Sequence, residues 1–257
     1  MKKFLILILF VFSYCPAMVN AESNYTSWQN HYSFTVPVGW AEIPKSKIDE
    51  AMQQVSEVAD AKFINYDAGF QYENEKFFQY PYVLVLQHKV NTPTYNQIAQ
   101  SLNDEFSDKN TDEISNKYSE MMINATVQDP FIDKKRNIIF TSIETDIVNV
   151  GRVKGLVAMF LGKDGITQIN FYSIKSEYLE NLSTFNLIID SFEYEQGYEY
   201  NEEEAKKNSP NIFDGAVEKG IIGGVIGAAT VVYIFIFRII FKLKEKREEK
   251  IKNETVK

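Results

Sequence analysis

Cysteine occurs once in this chain, at Cys15, and histidine only twice, at His31 and His88. A single cysteine forms no internal disulfide, and its place inside an apolar leader leaves the rest of the chain without a thiol nucleophile. Two imidazoles, with no His-x-x-x-His spacing, fall short of the three or four ligands a zinc site needs. There is no Gly-x-Ser-x-Gly elbow for a Ser-His-Asp hydrolase and no Gly-Lys-Ser/Thr phosphate loop. The acidic run "DKNTDE", 108–113, lacks the central glycine and distal glutamate of a calcium-binding EF-hand. Positive charge is scarce in the middle of the chain, where residues 22–215 carry 16 Lys+Arg against 30 Asp+Glu. Such a surface repels phosphate backbones and excludes nucleic acid as its partner. No catalytic residue, metal or cofactor is therefore expected, and the protein is read as a non-enzyme.

What is present begins at the two ends. Met1–Ala21 has Lys2 and Lys3, then "FLILILFVF", then "VNA". This is the pattern of a secretory signal peptide, with Ala21 at the cleavage position. The opposite end holds the longest apolar run: from Gly220 to Phe241 only Arg238 is charged. Twenty-two helical residues reach about 33 Å, the thickness of a bilayer core, so the segment 216–241 is predicted to be a transmembrane helix. The tail 242–257 has seven basic against four acidic residues, which places it in the cytoplasm and the preceding domain outside. Gly220, Gly224 and Ala228 recur every four residues, with Gly223 and Gly227 beside them. Their small side chains let another helix approach closely, which admits self-association or a partner membrane helix. Glycine is also simply common in membrane helices.

Residues 22–195 read as an extracytoplasmic α+β domain, an antiparallel sheet covered by helices in an α/β/α sandwich. "PYVLVLQHKV" is apolar at every position from Tyr82 to Leu86, as in a central strand covered on both faces. "KSKIDEAMQQVSEVA" aligns Ile48, Met52, Val55 and Ala59 on one helical stripe. "TYNQIAQSLNDEF" opens with Thr94 and Gln97 in capping-box spacing. "IIFTSIETDIV" alternates, with Ile139, Ile143 and Ile147 opposite Glu144 and Asp146. "VKGLVAMFLGKDGITQINFYS" reads as a hairpin turning at Lys163, Asp164 and Gly165. "SEYLENLSTFNLIIDSFEY" reads as a helix with Leu182, Phe185, Ile189 and Phe192 along one side. The acidic segment 196–215 reads as a linker to the membrane.

"YSFTVPVGW", 32–40, and "STFNLIIDSFEY", 183–194, resemble the bracketing motifs of the PsbP-like and DcrB-like α/β/α sandwich families. The resemblance spans about residues 28–195. It implies a noncatalytic envelope or membrane-associated domain, and it supplies no catalytic residues.

Aromatics are plentiful, and "FINYDAGFQYENEKFFQYPY", 63–82, concentrates them. Two readings of this segment stand: core packing beneath a helix, or the wall of a groove for an apolar ligand or peptide. His88 shares strand parity with Leu84 and Leu86, which places it beneath a helix or at the strand end rather than in a catalytic site.

Overall fold

The computed structural model describes residues 22–59, 63–90, 93–97, 122–147 and 150–208. An antiparallel sheet forms its middle layer. The strands are β1 (Ser23–Ser27), β2 (Tyr32–Val36), β3 (Trp40–Glu42), β4 (Ala68–Tyr72), β5 (Tyr82–His88), β6 (Met122–Val127), β7 (Phe131–Asp133), β8 (Ile138–Ile147), β9 (Gly151–Gly162), β10 (Gly165–Ile174) and β11 (Glu193–Tyr194). The large sheet runs β3-β4-β5-β10-β9-β8-β6, with β7 paired to β8, and a smaller one runs β1-β2-β11. The described helices are α1 (Lys45–Ala59), α2 (Tyr178–Ser191) and α3 (Glu202–Asn208), with a 3-10 turn at Lys175–Glu177.

Strand parity sorts the large sheet into two faces. Tyr82, Leu84 and Leu86 of β5 and Tyr172 of β10 point toward α1, where Ile48 and Met52 pack against them. Val83, Val85, Ile169 and Phe171 point the other way, toward Phe34 of the small sheet and Phe185, Ile188 and Ile189 of α2. Both faces are thus covered, which is why β5 carries no polar alternation from Tyr82 to Leu86. The α+β class and the antiparallel sheets with helices on them are as the sequence predicts.

Three local expectations are corrected. The β9–β10 turn is only Lys163–Asp164, because Gly162 pairs with Gly165 as the last rung. Gly165 instead begins β10 with φ +136°, and a Cβ there would lie 1.9 Å from the His88 carbonyl oxygen. Only glycine fits that approach. Second, α2 stops at Ser191, and Phe192 turns extended at φ −68°, ψ 130°. The reason is strand pairing: Glu193 and Tyr194 join Ser33 and Tyr32 of β2. Phe192 then stacks on Phe160 at 3.8 Å and on Tyr32 at 5.4 Å instead of extending the helical stripe.

The third correction concerns the segment read as a linker, whose described part, 196–208, is seated on the domain. Glu199 bridges Gly162, and the Lys163 amide donates to the Tyr198 carbonyl at 2.9 Å. The Tyr200 hydroxyl donates to the Pro93 carbonyl at 3.2 Å, its ring lies 5.2 Å from that of Tyr95, and Ala205 is buried. At the start of the predicted 94–106 helix, the capping box is present. The Thr94 amide donates to Gln97 Oε1 at 2.8 Å, and the Gln97 amide donates to Thr94 Oγ1 at 3.4 Å.

Candidate functional site

Antiparallel register places Tyr82 of β5 directly opposite Tyr172 of β10, with ring centroids 4.8 Å apart. Tyr80 enters from the turn before β5 and lies 5.4 Å from Tyr82, while Phe78 meets Tyr82 edge-on at 5.8 Å. Tyr66, fully buried, completes the group beneath α1. Gly155 on β9 lies opposite Tyr172, and the Tyr172 ring and Ile143 pack closely over it. A Cβ there would stand 3.7 Å from the Tyr172 ring and 3.0 Å from an Ile143 methyl.

The hydroxyls of Tyr66, Tyr80, Tyr82 and Tyr172 are buried, and among the described residues those of Tyr80 and Tyr82 have no hydrogen-bond partner. A side-chain hydrogen bond between Tyr66 and Tyr172 lowers the Tyr66 pKa against the effect of burial and raises that of Tyr172. Burial pushes all four phenols above their ordinary value, and the neighbouring phenols push Tyr82 and Tyr172 further. They are therefore neutral groups at physiological pH, each able to donate one hydrogen bond and to accept others.

A directed polar chain runs along the same face of β10. Gln168 Nε2 donates to Asn170 Oδ1 at 2.8 Å, so Gln168 Oε1 is left to accept from His88 Nε2 at 2.9 Å. Neutral His88 consequently carries its proton on Nε2. Burial lowers the His88 pKa, partly offset by the Gln168 bond, and so favours this neutral form. The chain ends at Asn170 Nδ2, a buried donor with no partner among the described residues, one pleat from Tyr172. Thr145 Oγ1 on β8 is unpaired as well. A buried polar group without a partner costs about 1–3 kcal/mol. Four such atoms, on Tyr80, Tyr82, Thr145 and Asn170, lie on this face.

The opposite face is different. The Tyr194 hydroxyl donates to the Phe160 carbonyl at 2.9 Å, lies 2.9 Å from Thr167 Oγ1, and accepts from the Thr167 amide at 3.3 Å. Gly162 makes this possible, since a Cβ there would fall 2.5 Å from the Tyr194 ring. Asn181 Nδ2 donates to Ser173 Oγ at 2.9 Å. On β8 Glu144 gathers Lys154 at 3.3 Å, Arg152 at 3.5 Å and Lys175. The Lys175 hydrogen bond is the main cause that holds its carboxyl below the ordinary range.

Neither imidazole faces a nucleophile. His31, at φ +55°, places Nδ1 2.6 Å from Glu195 Oε2 and stacks on Tyr198 at 3.6 Å. His88 ends β5, as its parity predicts, and bonds Gln168. Trp40 is buried against Tyr72 at 5.1 Å, a packing role. Among the described residues no group of three His, Cys, Asp or Glu side chains could hold a metal ion. Of the aromatic segment, Tyr66, Phe70, Phe78 and Tyr82 are buried, and Phe63 and Tyr72 are exposed. Gly220, Gly223, Gly224, Gly227 and Ala228, proposed for helix packing, lie outside the described residues, as does the cleavage position Ala21. The predicted membrane segment 216–241 lies outside them too, and none of the described helices is long and apolar enough to cross a membrane. The sequence reading missed Tyr172, Gln168 and Asn170. Their signal was Gln168, Asn170 and Tyr172 at alternate positions of one strand, all on the same face.

No family model matches the chain, and no curated protein matches it in sequence. Solved structures do resemble it in part. Cyanobacterial PsbP from Synechocystis is similar with 13% identity and a TM-score of 0.42, over 70% of this chain and 95% of that one. The Ran-binding protein Mog1p of Saccharomyces cerevisiae is similar with 7% identity and a TM-score of 0.37, over 68% and 95%. LpqN of Mycobacterium tuberculosis, described as involved in cell envelope biogenesis, is similar with 12% identity and a TM-score of 0.36, over 66% and 83%.

Proposed function

We propose that this protein is a single-pass envelope protein whose noncatalytic outer domain binds or organises a partner beside the membrane. The observation that carries this reading is the seating of residues 196–208 on the domain. Only residues 209–219 then separate the packed chain from the apolar run at Gly220, and eleven residues span at most about 40 Å. The domain is held close to the bilayer rather than on a long leash. Two features are in keeping with the same reading. β1 begins at Ser23, two residues after the proposed cleavage at Ala21. The two motifs of the PsbP-like and DcrB-like resemblance meet in space, where β11 pairs with β2. Both histidines are engaged in closing the fold, which favours binding over catalysis.

Crosslinking in native membranes should capture a discrete partner, and alkaline carbonate should leave the intact chain in the pellet. Release into the supernatant would remove the anchor from the proposal. Gly224→Leu should weaken helix association in a membrane two-hybrid assay; undiminished association would remove the glycine face. A second reading, an outer domain that captures a small apolar molecule, is favoured by the crowded aromatics beneath α1, where the Tyr80 and Tyr82 hydroxyls have no partner among the described residues.

A further inference from the structure

We infer that the end of the domain from which the chain leaves toward the apolar run is a membrane-contact surface. The β1–β2 turn sets Trp28 in the headgroup layer of a phospholipid bilayer, and Lys134 and Lys135 of the β7–β8 turn meet its phosphates. This rests on the reading of the outer domain as anchored beside the membrane and names the surface that faces it.

Three turns meet at this end, and the seated tail runs past each of them. His31, at the foot of the β1–β2 turn, stacks on Tyr198 at 3.6 Å, and its carbonyl accepts from the Glu195 amide at 2.8 Å. The Tyr198 carbonyl accepts from the Lys163 amide of the β9–β10 turn. Tyr200 lies against Tyr95, whose hydroxyl bonds Asn137 in the β7–β8 turn and lies 3.4 Å from the Lys134 carbonyl. α3 then carries the chain to Asn208, and residues 209–219 are too few to take the domain far from the apolar run. Trp28 stands at the tip of its turn, which the Asn30 amide closes on the Ser27 carbonyl at 3.2 Å, and is 76% exposed. Its ring gains by leaving water while its indole N–H needs an acceptor, and the ester and phosphate oxygens of a headgroup layer satisfy both at one depth. Lys134 and Lys135 are exposed as well, and among the described residues neither ammonium meets a carboxylate, although acids outnumber bases nearly two to one over residues 22–215. Their stems can lie along the surface while the ammonium groups reach phosphate. Trp40 marks the contrast: it is buried and pairs with Tyr72 at the far end of the sheet, where β5 begins. The seven residues of β5 put about 20 Å between the two ends, so only Trp28 touches lipid.

The test uses the only two tryptophans of the chain. The full chain is reconstituted into phosphatidylcholine nanodiscs, and its tryptophan emission is compared with that in discs whose lipid is brominated near the top of the acyl chains, where bromine quenches an indole close to it. The Trp28 contribution, taken as the difference between the unaltered chain and Trp28→Phe, should fall at least twofold in the brominated discs, while Trp28→Phe itself emits equally in both. Lys134→Glu combined with Lys135→Glu should restore at least half of the lost emission, because carboxylates are repelled by the phosphates, with urea midpoints confirming that the variants fold. Equal Trp28 emission in the two lipids, or quenching that persists in Trp28→Phe, would overturn the surface. Shielding of Trp28 only by a protein crosslinked in native membranes would overturn it as well and give the turn to that partner. Unchanged quenching in the double lysine variant would strike the two lysines from the surface. A chain retained after carbonate but not quenched keeps the anchor and loses this surface, and a chain released by carbonate yet quenched does the reverse, so the two failures are distinguishable.

Discussion

The two faces of the large sheet are built from similar aromatic stock and use it in opposite ways. Toward α2 and the small sheet, Tyr194 finds three polar contacts, and the ring of Phe192 stacks between Phe160 and Tyr32. Toward α1, four phenols crowd together, and among the described residues the Tyr80 and Tyr82 hydroxyls have no hydrogen-bond partner. Trp40 Nε1 is buried without a partner among the described residues on the first face. The lesson is that burial of tyrosine does not by itself report a packed core. Where the hydroxyls are paired the side chain serves stability, and where they converge unpaired it holds bonding capacity in reserve.

Substitutions can break this contrast. Phe185→Ala, in the fully buried centre of the α2 face, should cost the most, about 3–5 kcal/mol in urea unfolding. A much smaller loss would mean that α2 is not a principal part of the core. Tyr194→Phe should cost about 1–3 kcal/mol, because Thr167 and the Phe160 carbonyl lose a buried partner. Acid should separate the faces by pH. Neutral His88 is favoured in the fold, so the unfolded chain takes up the proton first; its contribution is complete above the ordinary value of 6.5 and is lost as pH falls. Glu144 is depressed instead, so its contribution is present above the ordinary value of 4.5 and disappears only as pH falls through its lower folded value. His88→Gln should flatten the stability profile between neutrality and pH 5 and leave the steeper acid limb, whereas Glu144→Gln should do the reverse. The smallest effect is expected at Tyr82→Phe, within about 0.5 kcal/mol or slightly stabilising, since the hydroxyl removed has no partner. A loss as large as that at Tyr194 would erase the contrast.

Much of this architecture could be read from periodicity. β5 was plain because five consecutive apolar residues need two covered faces, and α1 was plain because Ile48 and Met52 lie one turn apart. The alternation in β8 was half the story: Ile139, Ile143 and Ile147 are buried as their parity predicts, but Ile138 on the other face is buried too, under the α2 layer. Only from Glu144 onward does that face open to its ion pairs. The end of α2 was misread because a two-residue strand is too short to show a period, and the helical step to Phe192 fitted by chance. The acidic run after Glu195 hid its packing because charge dominated its composition, although Tyr198 and Tyr200 within it marked where the chain would adhere. The candidate site was legible only as an aromatic excess in 63–82. Its other half, Tyr172 and Asn170, lies some ninety residues onward, and only the β5–β10 register brings the two together.

The seating of residues 194–208 has a mechanical consequence. If the chain beyond Asn208 is pulled, the load meets fastenings in series: the Tyr200 hydroxyl on Pro93, then Tyr198 beneath His31 and on the Lys163 amide, then Tyr194 wedged over Gly162. Each must yield before tension reaches the next, so a tug peels the tail away stepwise while the large sheet stays whole.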